Sequence, residues 1–280
     1  MIFNLFRKEL TLAEKQSVDG EQIEAQSIRR RIRNAIYGSL IGDIAGTSVT
    51  AIDLPKSPVL TELPPVSYNM FRYIQNIIAG KDNFYLIKMP QDIPLTACIL
   101  PFIFVHDLSF NEILRLVCRF STKIRNDIFE QTGYALYLSI LLRLYHYDDF
   151  ENAADITLET AERDLQNTEY AMVLHQYECL YSKRIKTLPK SDIQKMSSIT
   201  DYLQASLWCC MNGSNFHDII LSGKIIGNSI GNRTSAVPVL SGAMAGLYYR
   251  YDVSEFLPKT PFDYNAVIKT FENYCLKTRS

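Results

Sequence analysis

The residues of this chain that could do chemistry lie in a few short clusters. His146, Asp148 and Asp149 offer an imidazole and two carboxylates, which is a ligand set that a divalent metal could use. These three residues fall between two helical patterns, where aspartate commonly caps a helix. His175 and Glu178 are one helical turn apart, which is typical of a surface ion pair. We therefore interpret the first cluster as caps and the second as a surface pair.

Three other segments combine small residues with isolated polar side chains. Glycines recur four apart at Gly38, Gly42 and Gly46, and Asp43 directly follows the second of them. Gln91 and Asp92 precede a hydrophobic stretch that begins at Pro94. The third segment reads Gly231-Asn232-Arg233-Thr234-Ser235-Ala236 and leads into a helical pattern of small residues that ends at Tyr249. The sequence has no Gly-x-Ser-x-Gly elbow and no phosphate-binding loop beside these segments.

Together, these segments resemble the signatures of the ADP-ribosylglycohydrolases, the family that includes dinitrogenase reductase-activating glycohydrolase. The resemblance extends from about residue 31 to about residue 251 and implies a compact, all-α, orthogonal bundle of many helices. It also implies where a magnesium pair would bind in active members. In the register that the small-residue helix sets, two metal-binding aspartates of the family fall on Arg233 and Ser235, and the following threonine falls on Ala236. In the second signature Gln91 replaces a ligand and Asp92 remains, while Thr50 stands near the position of a glutamate.

These substitutions indicate that the metal site has been lost. Magnesium requires hard oxygen ligands, mostly carboxylates, in a closely fixed geometry. A guanidinium at Arg233 about 4 Å from a divalent ion would cost on the order of 8 kcal/mol at an effective dielectric constant of about 20. We therefore predict no catalytic residue, no bound metal and no cofactor. In their place we expect an ion pair between Asp92 and Arg233, with Asp43 as a possible second acceptor. The alternative for Asp43 and Asp92 is simple helix capping.

The first ten residues carry an apolar side that a free tail has no reason to carry, formed by Ile2, Phe3, Leu5 and Phe6. This segment is expected to dock either on the chain's own domain or on a partner protein. Some members of the resembled family are immunity proteins that neutralise ADP-ribosyltransferase toxins, and an N-terminal extension suits occlusion of a toxin's active site. The resemblance therefore implies a pseudoenzyme that works by binding a protein. Two alternatives are a divergent hydrolase with weak metal-dependent activity and a non-catalytic ADP-ribose-binding or structural protein.

Composition limits the classes of protein to which the chain can belong. It has 280 residues, 47% of them hydrophobic, and 29 basic residues balance 30 acidic ones, so the charge suggests no nucleic-acid partner. The six cysteines show no Cys-x-x-Cys spacing, and we expect them to be reduced. The N-terminus does not resemble a signal peptide, and no apolar run reaches the ~20 residues of a membrane span. We expect a soluble, cytoplasmic protein.

The elements that must position these residues are predicted to be helices throughout. Apolar periodicity predicts them at residues 68–79, 94–105, 111–120, 127–145, 150–165, 169–183, 199–211, 217–226, 234–249 and 264–276. Ser109, Ser214 and Asp263 stand at expected N-cap positions. Residues 1–27 are predicted to form an extension whose part from residue 11 is a polar linker, and residues 28–280 to form one helical domain. The arginines at 29–33 are interpreted as a solvated helix face, the alternative being a phosphate or nucleic-acid contact.

Overall fold

The fold consists of α-helices. The computed structural model describes residues 12–47, 62–81, 100–105, 107–121, 127–146, 148–194, 198–228, 236–249, 252–257 and 263–279. The helices in these ranges are α1 (Leu12–Thr47), α2 (Pro65–Ile78), α3 (Phe110–Ser121), α4 (Ile128–Tyr145), α5 (Phe150–Leu165), α6 (Ala171–Leu174), α7 (Ser182–Thr187), α8 (Ile199–Asn212), α9 (Phe216–Asn228), α10 (Ala236–Tyr248) and α11 (Tyr264–Arg279). Short 3-10 helices lie at Leu100–Phe104, His175–Leu180, Lys190–Gln194 and Val253–Phe256. None of the described residues forms a β-strand, and the predicted all-α class is confirmed.

Helix α10 lies at the centre of the molecule and is buried from Ala236 to Leu247. It packs against α1, α4, α8 and α9. Tyr137 of α4 donates a hydrogen bond to the carbonyl of Leu240 at 3.2 Å, and Ser206 of α8 donates one to the carbonyl of Val237 at 3.3 Å. A helix enclosed on every side must be apolar all round, as α10 is. It is nevertheless short, and no described helix is both long and apolar enough to cross a membrane.

Helices α1 and α10 run antiparallel with their backbones in direct contact. Gly38 faces Gly242, and Gly42, four residues later in α1, faces Pro238, four residues earlier in α10. A Cβ atom added at Gly38 or Gly42 would lie closer than 3.0 Å to a carbonyl oxygen of α10. Gly246 faces the backbone of Asn34 in the same way. The four-residue spacing of the glycines therefore serves close helix packing, because no other residue lets two helix axes approach so closely.

Gly223 of α9 extends this close packing to a third helix. A Cβ atom added at Gly223 would lie 3.0 Å from the Cα of Pro238 and 3.1 Å from the Ser241 hydroxyl. Glycines recur four apart before α10, at Gly223, Gly227 and Gly231, and this spacing is more typical of close helix packing than of a phosphate loop. For Gly223 the packing interpretation is confirmed.

The interpretation of the arginines at 29–33 as a solvated face holds for Arg30, which is exposed, but is wrong for Arg31 and Arg33. Arg31 is 8% exposed, and its guanidinium donates to the backbone carbonyl of Tyr145, the last residue of α4. Arg33 donates from Nε and Nη2 to the two carboxylate oxygens of Glu272, at 2.8 and 3.1 Å, and this hydrogen bonding raises the pKa of Arg33. Arg33 holds α1 to α11, and Arg31 places a positive charge at the C-terminal end of α4, where the helix dipole favours it.

The stretch predicted to be a polar linker, residues 11–27, is helical from Leu12 onward and is continuous with the rest of α1. Most of its residues are good helix formers, and a single glycine at Gly20 costs only about 1 kcal/mol. The described side chains from Ile23 to Arg30 are exposed or half-buried, and Ile23 is 68% exposed. The core begins at Arg31. Helix α1 passes through residue 27 without a break. The predicted division of the chain at that residue stays a prediction.

The predicted helix at 169–183 is also wrong, since this part of the chain forms α6, a 3-10 helix and α7 in succession. Tyr181 has an extended conformation, with φ −58° and ψ 133°, and separates the 3-10 helix from α7. The backbone N–H of Ser182 then donates to Oδ1 of Asp155 in α5 at 2.7 Å, and its hydroxyl donates to Oδ2 at 2.7 Å. A carboxylate from another helix therefore caps α7 and fixes where it begins.

Other helix starts follow the expected capping chemistry. Ser109 and Glu112 form a reciprocal capping box at the start of α3, with the Ser109 N–H and hydroxyl donating to the carboxylate at 2.8 and 2.7 Å. Asp263 accepts from the backbone N–H three residues later at 3.0 Å and caps α11. Ser214 was predicted to cap α9, but Asn215 does so, accepting from the N–H of Asp218 at 3.0 Å. The helix begins at Phe216, one residue before the predicted range 217–226, and its N-cap is the residue directly before it.

The predicted range 94–105 falls partly on described residues. Of these, Leu100–Phe104 form a 3-10 helix. The ranges 127–145, 150–165 and 199–211 match α4, α5 and α8 to within one residue. Long apolar periods therefore predict helix positions well, while short segments are decided by contacts with other helices.

Five of the six cysteines lie in the described residues, and none of those five forms a disulfide bond. Cys209, Cys210 and Cys275 are buried, whereas Cys118 and Cys179 are half-buried. Burial raises the pKa of Cys179 to about 11 and that of Cys209 to about 12. These thiols act as small apolar core groups.

Buried acidic groups predict a loss of stability at alkaline pH. Desolvation raises the pKa of Tyr37 from 10.0 to about 12 and that of Cys209 from 9.0 to about 12. Above pH 9 the unfolded chain loses these protons while the native chain retains them, so stability falls as the pH rises toward 12. Tyr37 alone would account for up to about 3 kcal/mol at the end of this range. Denaturant titrations at successive pH values should show the decrease, and a constant midpoint between pH 9 and 12 would contradict it.

Candidate functional site

Two of the residues predicted to line the cleft or the lost metal site, Asp43 and Ala236, lie within the described residues. The Asp43 side chain is fully buried near the C-terminal end of α1. Oδ2 accepts two hydrogen bonds from Ser67 of α2, one from the backbone N–H at 2.8 Å and one from the hydroxyl at 2.8 Å. These are charge-assisted bonds, which are about twice as strong as neutral ones.

The sequence at the start of α2 explains why this helix needs Asp43. Pro64 occupies the N-cap position and Pro65 the first helical position, and Pro64 provides no side-chain cap. Proline suits the start of a helix because its missing N–H would be unpaired there. The N–H of Ser67 still requires an acceptor, and a carboxylate also interacts favourably with the positive end of the helix dipole. Asp43 of the neighbouring helix α1 supplies both the hydrogen-bond acceptor and the negative charge.

Three helix ends therefore meet around Asp43. Its neighbour Gly42 packs on Pro238, in the first turn of α10, so the N-terminus of α10 lies beside the C-terminal end of α1. The N-terminus of α2 is joined to the same place through Ser67. Ala236, the first residue of α10, is fully buried there. The Asp43 carboxylate is in contact with the N-terminus of α2, where the helix dipole favours a negative charge.

The capping interpretation of Asp43 is confirmed by these contacts. Its further role as a cleft acceptor for Arg233 stays a prediction, because the residues that would complete the cleft lie outside the described residues. These are Thr50, Gln91, Asp92, Arg233 and Ser235. The predicted ion pair between Asp92 and Arg233 also lies outside the described residues, as do the N-terminal residues Ile2, Phe3, Leu5 and Phe6.

The cluster at 146–149 has the geometry of caps and surface pairs. Asp149 accepts from the N–H of Asn152 at 2.8 Å and caps α5, as predicted. The His146 ring lies 3.5 Å from the Asp107 carboxylate, while Asp148 lies 3.9 Å from Arg143. In the described part of the chain no three histidine, cysteine, aspartate or glutamate side chains are grouped so as to hold a metal ion.

The predicted surface pair of His175 and Glu178 is confirmed. The His175 ring lies 3.1 Å from the Glu178 carboxylate, and Arg184 binds the other oxygen at 2.9 Å. Hydrogen bonds from His175 and Arg184 lower the pKa of Glu178. All three side chains are substantially exposed, so this network contributes little to stability.

The sequence did not indicate Ser67, the residue that donates two hydrogen bonds to the Asp43 carboxylate. Its only local signal is its position two residues after Pro65, at the third position of a helix that lacks a side-chain cap. A cap donated by a different helix has no spacing signature.

Comparison with known proteins finds no further relationship: no protein-family model matches the chain, and no curated protein matches it significantly. The resemblance to ADP-ribosylglycohydrolases therefore depends on the sequence motifs alone and stays a prediction.

Proposed function

We propose that this chain is a catalytically inactive relative of the ADP-ribosylglycohydrolases that acts by binding another protein. The proposed partner is an ADP-ribosyltransferase toxin, whose active site the chain occludes. One observation carries the proposal. The two glycine-rich segments that resemble the family are adjacent in the fold, with Gly38 and Gly42 of α1 packed on Gly242 and Pro238 of α10.

The replacement of the metal ligands follows from the sequence register that the small-residue helix sets. In the structure the small residues of α1 and α10 meet in pairs, which explains why both segments need glycine. Arg233 and Ser235 precede the first residue of α10 in this register, at the positions that carry aspartates in the resembled family. A guanidinium, a hydroxyl and the amide of Gln91 do not form the carboxylate set that a magnesium pair requires.

The contacts of Asp43 support the same conclusion. A carboxylate that binds a metal must present its oxygens to the ion. In this chain the described contacts of Oδ2 are both with Ser67, and they stabilise the start of α2. The retained aspartate thus has a structural reason to persist without catalysis.

Helix α1 supports a role for the N-terminal extension in binding. Before Arg31 its described side chains are exposed or half-buried, and Ile23 is among the most exposed large apolar side chains of the described residues. An exposed helical stretch that is continuous with the domain can present an apolar N-terminal segment to a partner in a fixed direction.

The catalytic half of the proposal is tested by hydrolysis. The purified chain is expected to release no ADP-ribose from modified arginine, serine or nucleic acid in the presence of magnesium or manganese, because Gln91, Arg233 and Ser235 cannot form the metal site. Asp92→Ala is the matched control. Release that a chelator or Asp92→Ala abolishes would show that the chain is a divergent hydrolase.

The binding half is tested first by whether an ADP-ribosyltransferase gene neighbours this chain's own gene, and then with that transferase. The chain should form a stoichiometric complex with the transferase and inhibit it, and deletion of residues 1–27 should weaken the complex and leave the helical domain folded. Free ADP-ribose should not bind in a calorimetric titration. If the deleted chain melts far below the full chain, the segment belongs to the core and the assignment of binding to it is wrong.

A further inference from the structure

A cavity of about 280 Å³ lies between the start of α3, the C-terminal half of α4 and α5. It is slightly smaller than the ~300–1,000 Å³ pockets that hold drug-sized molecules, so its occupant would be small. The cavity is separate from the site around Asp43. Arg31, which binds the end of α4, precedes Asp43 by twelve residues of α1, or about 18 Å at ~1.5 Å per residue.

Two hydroxyls in the cavity wall lack hydrogen-bond partners in the described part of the chain. They are Ser139 Oγ of α4 and Thr157 Oγ1 of α5, in side chains that are 7% and 1% exposed. A helical serine or threonine usually donates to the carbonyl four residues before it. Thr132 and Ser206 do so here, at 2.8 and 2.7 Å. Ser139 and Thr157 leave this local acceptor unused and line the cavity instead, so they need an acceptor inside it.

Arg143 adds a charged donor to the same wall. Its Nη2 donates to Thr160 Oγ1 at 3.1 Å, and its Nη1 lies 3.9 Å from Asp148, which is a loose pair. A guanidinium has five N–H donors in a planar fork that matches a carboxylate. The contacts with Thr160 and Asp148 therefore leave Arg143 able to bind an anion between the two hydroxyls.

The other charges around the cavity limit the charge of its occupant. Arg163 is paired with Asp164 at 3.0 Å, and His146 lies 3.5 Å from Asp107. Together with Asp148, these carboxylates prevent a strong positive field, and they would repel a doubly charged group such as phosphate. A monoanion suits the site better because it requires one partner, Arg143, and two neutral donors.

The remaining wall is apolar. It is formed by Leu108, Phe110, Ile113 and Leu142. A ligand with a short hydrocarbon group opposite its charged end would remove this surface from water. We propose that the cavity binds a small monocarboxylate with a short branched or straight apolar chain, whose carboxylate accepts from Arg143, Ser139 and Thr157.

Isovalerate tests the site, with two ligands of the same carbon skeleton as comparisons. Calorimetric titration of the full chain should show saturable binding of isovalerate, at least about tenfold weaker binding of isoamyl alcohol, and none of isoamylamine or inorganic phosphate. Arg143→Gln should weaken isovalerate binding about tenfold, as should the double variant Ser139→Ala with Thr157→Val. The double variant nearly preserves shape, so it should fold normally, as judged by its circular dichroism and melting temperature.

Ser39→Ala is the matched control. Ser39 Oγ is also buried and without a partner among the described residues, but it lies on α1 and away from this cavity. This variant should bind isovalerate as the unaltered chain does. The proposal is overturned if isovalerate does not saturate, if the alcohol binds equally well, or if Arg143→Gln leaves the affinity unchanged. Those results would mean that the cavity holds only water.

Discussion

Replacing Gly42 by alanine is expected to lower the free energy of unfolding by about 3 kcal/mol or more. The added methyl group would lie closer than 3.0 Å to the backbone carbonyl of Pro238. A backbone atom cannot rotate away as a side chain can, so α1 and α10 would have to separate along their contact. Chemical denaturation of the purified variant measures the change, with the midpoint and slope fitted separately.

Alanine substitutions at two other glycines give losses of stability with which the loss at Gly42 can be compared. Gly223→Ala brings its methyl group 3.0 Å from the Cα of Pro238, so a smaller shift can accommodate it and its effect should be intermediate. Gly80 has φ +64° and no atom within 4 Å of its added Cβ, so its replacement costs only the left-handed strain of about 1 kcal/mol. If Gly42→Ala is no more harmful than Gly80→Ala, the helices are not in backbone contact.

The second large effect is expected at Asp43. Asp43→Ala removes the acceptor for the N–H and the hydroxyl of Ser67, both of which lie in a fully buried environment. Leaving such donors without a partner costs about 1–3 kcal/mol for each group, so we expect a loss of about 3 kcal/mol. Asp43→Asn keeps one carbonyl oxygen and should be milder. Thermal and chemical unfolding would measure both variants.

The chain contains a matched control for this variant. Asp155 binds Ser182 through the same pair of bonds, to the N–H and the hydroxyl, but it is only half-buried. Water can replace its carboxylate, so Asp155→Ala should cost about 1 kcal/mol. Equal losses in the two variants would mean that the burial of Asp43 does not matter. That outcome would remove the structural role that we assign to this aspartate.

The sequence predicted those features of the fold that follow from local chemistry. The all-α class, the positions of α4, α5 and α8, and the caps at Ser109, Asp149 and Asp263 depend on periodicity or on residues three apart. Gly223 was also interpreted correctly as a packing residue, since small residues at helical spacing allow close approach.

The errors concern side chains whose partners are distant in the sequence. The arginines at 29–33 resemble a solvated face because the sequence does not show that Arg31 meets the end of α4 or that Arg33 meets Glu272. The break before α7 depends on Asp155, which is 27 residues before Ser182. At the candidate site the sequence identified Asp43 but not Ser67, because a cap donated by another helix leaves no local pattern.

The central position of α10 also has a consequence for synthesis on the ribosome. The glycine face of α1 is made early, whereas its partner helix is made about two hundred residues later. Until α10 emerges, the nascent chain holds α1, α4, α8 and α9 without the helix that all four surround, and their apolar surfaces remain open to chaperones or to other chains. Contacts so distant in sequence also slow folding, since the loop between them must close first. Folding of the core should therefore be largely post-translational, and ribosome-bound chains that end before Ala236 should remain sensitive to protease.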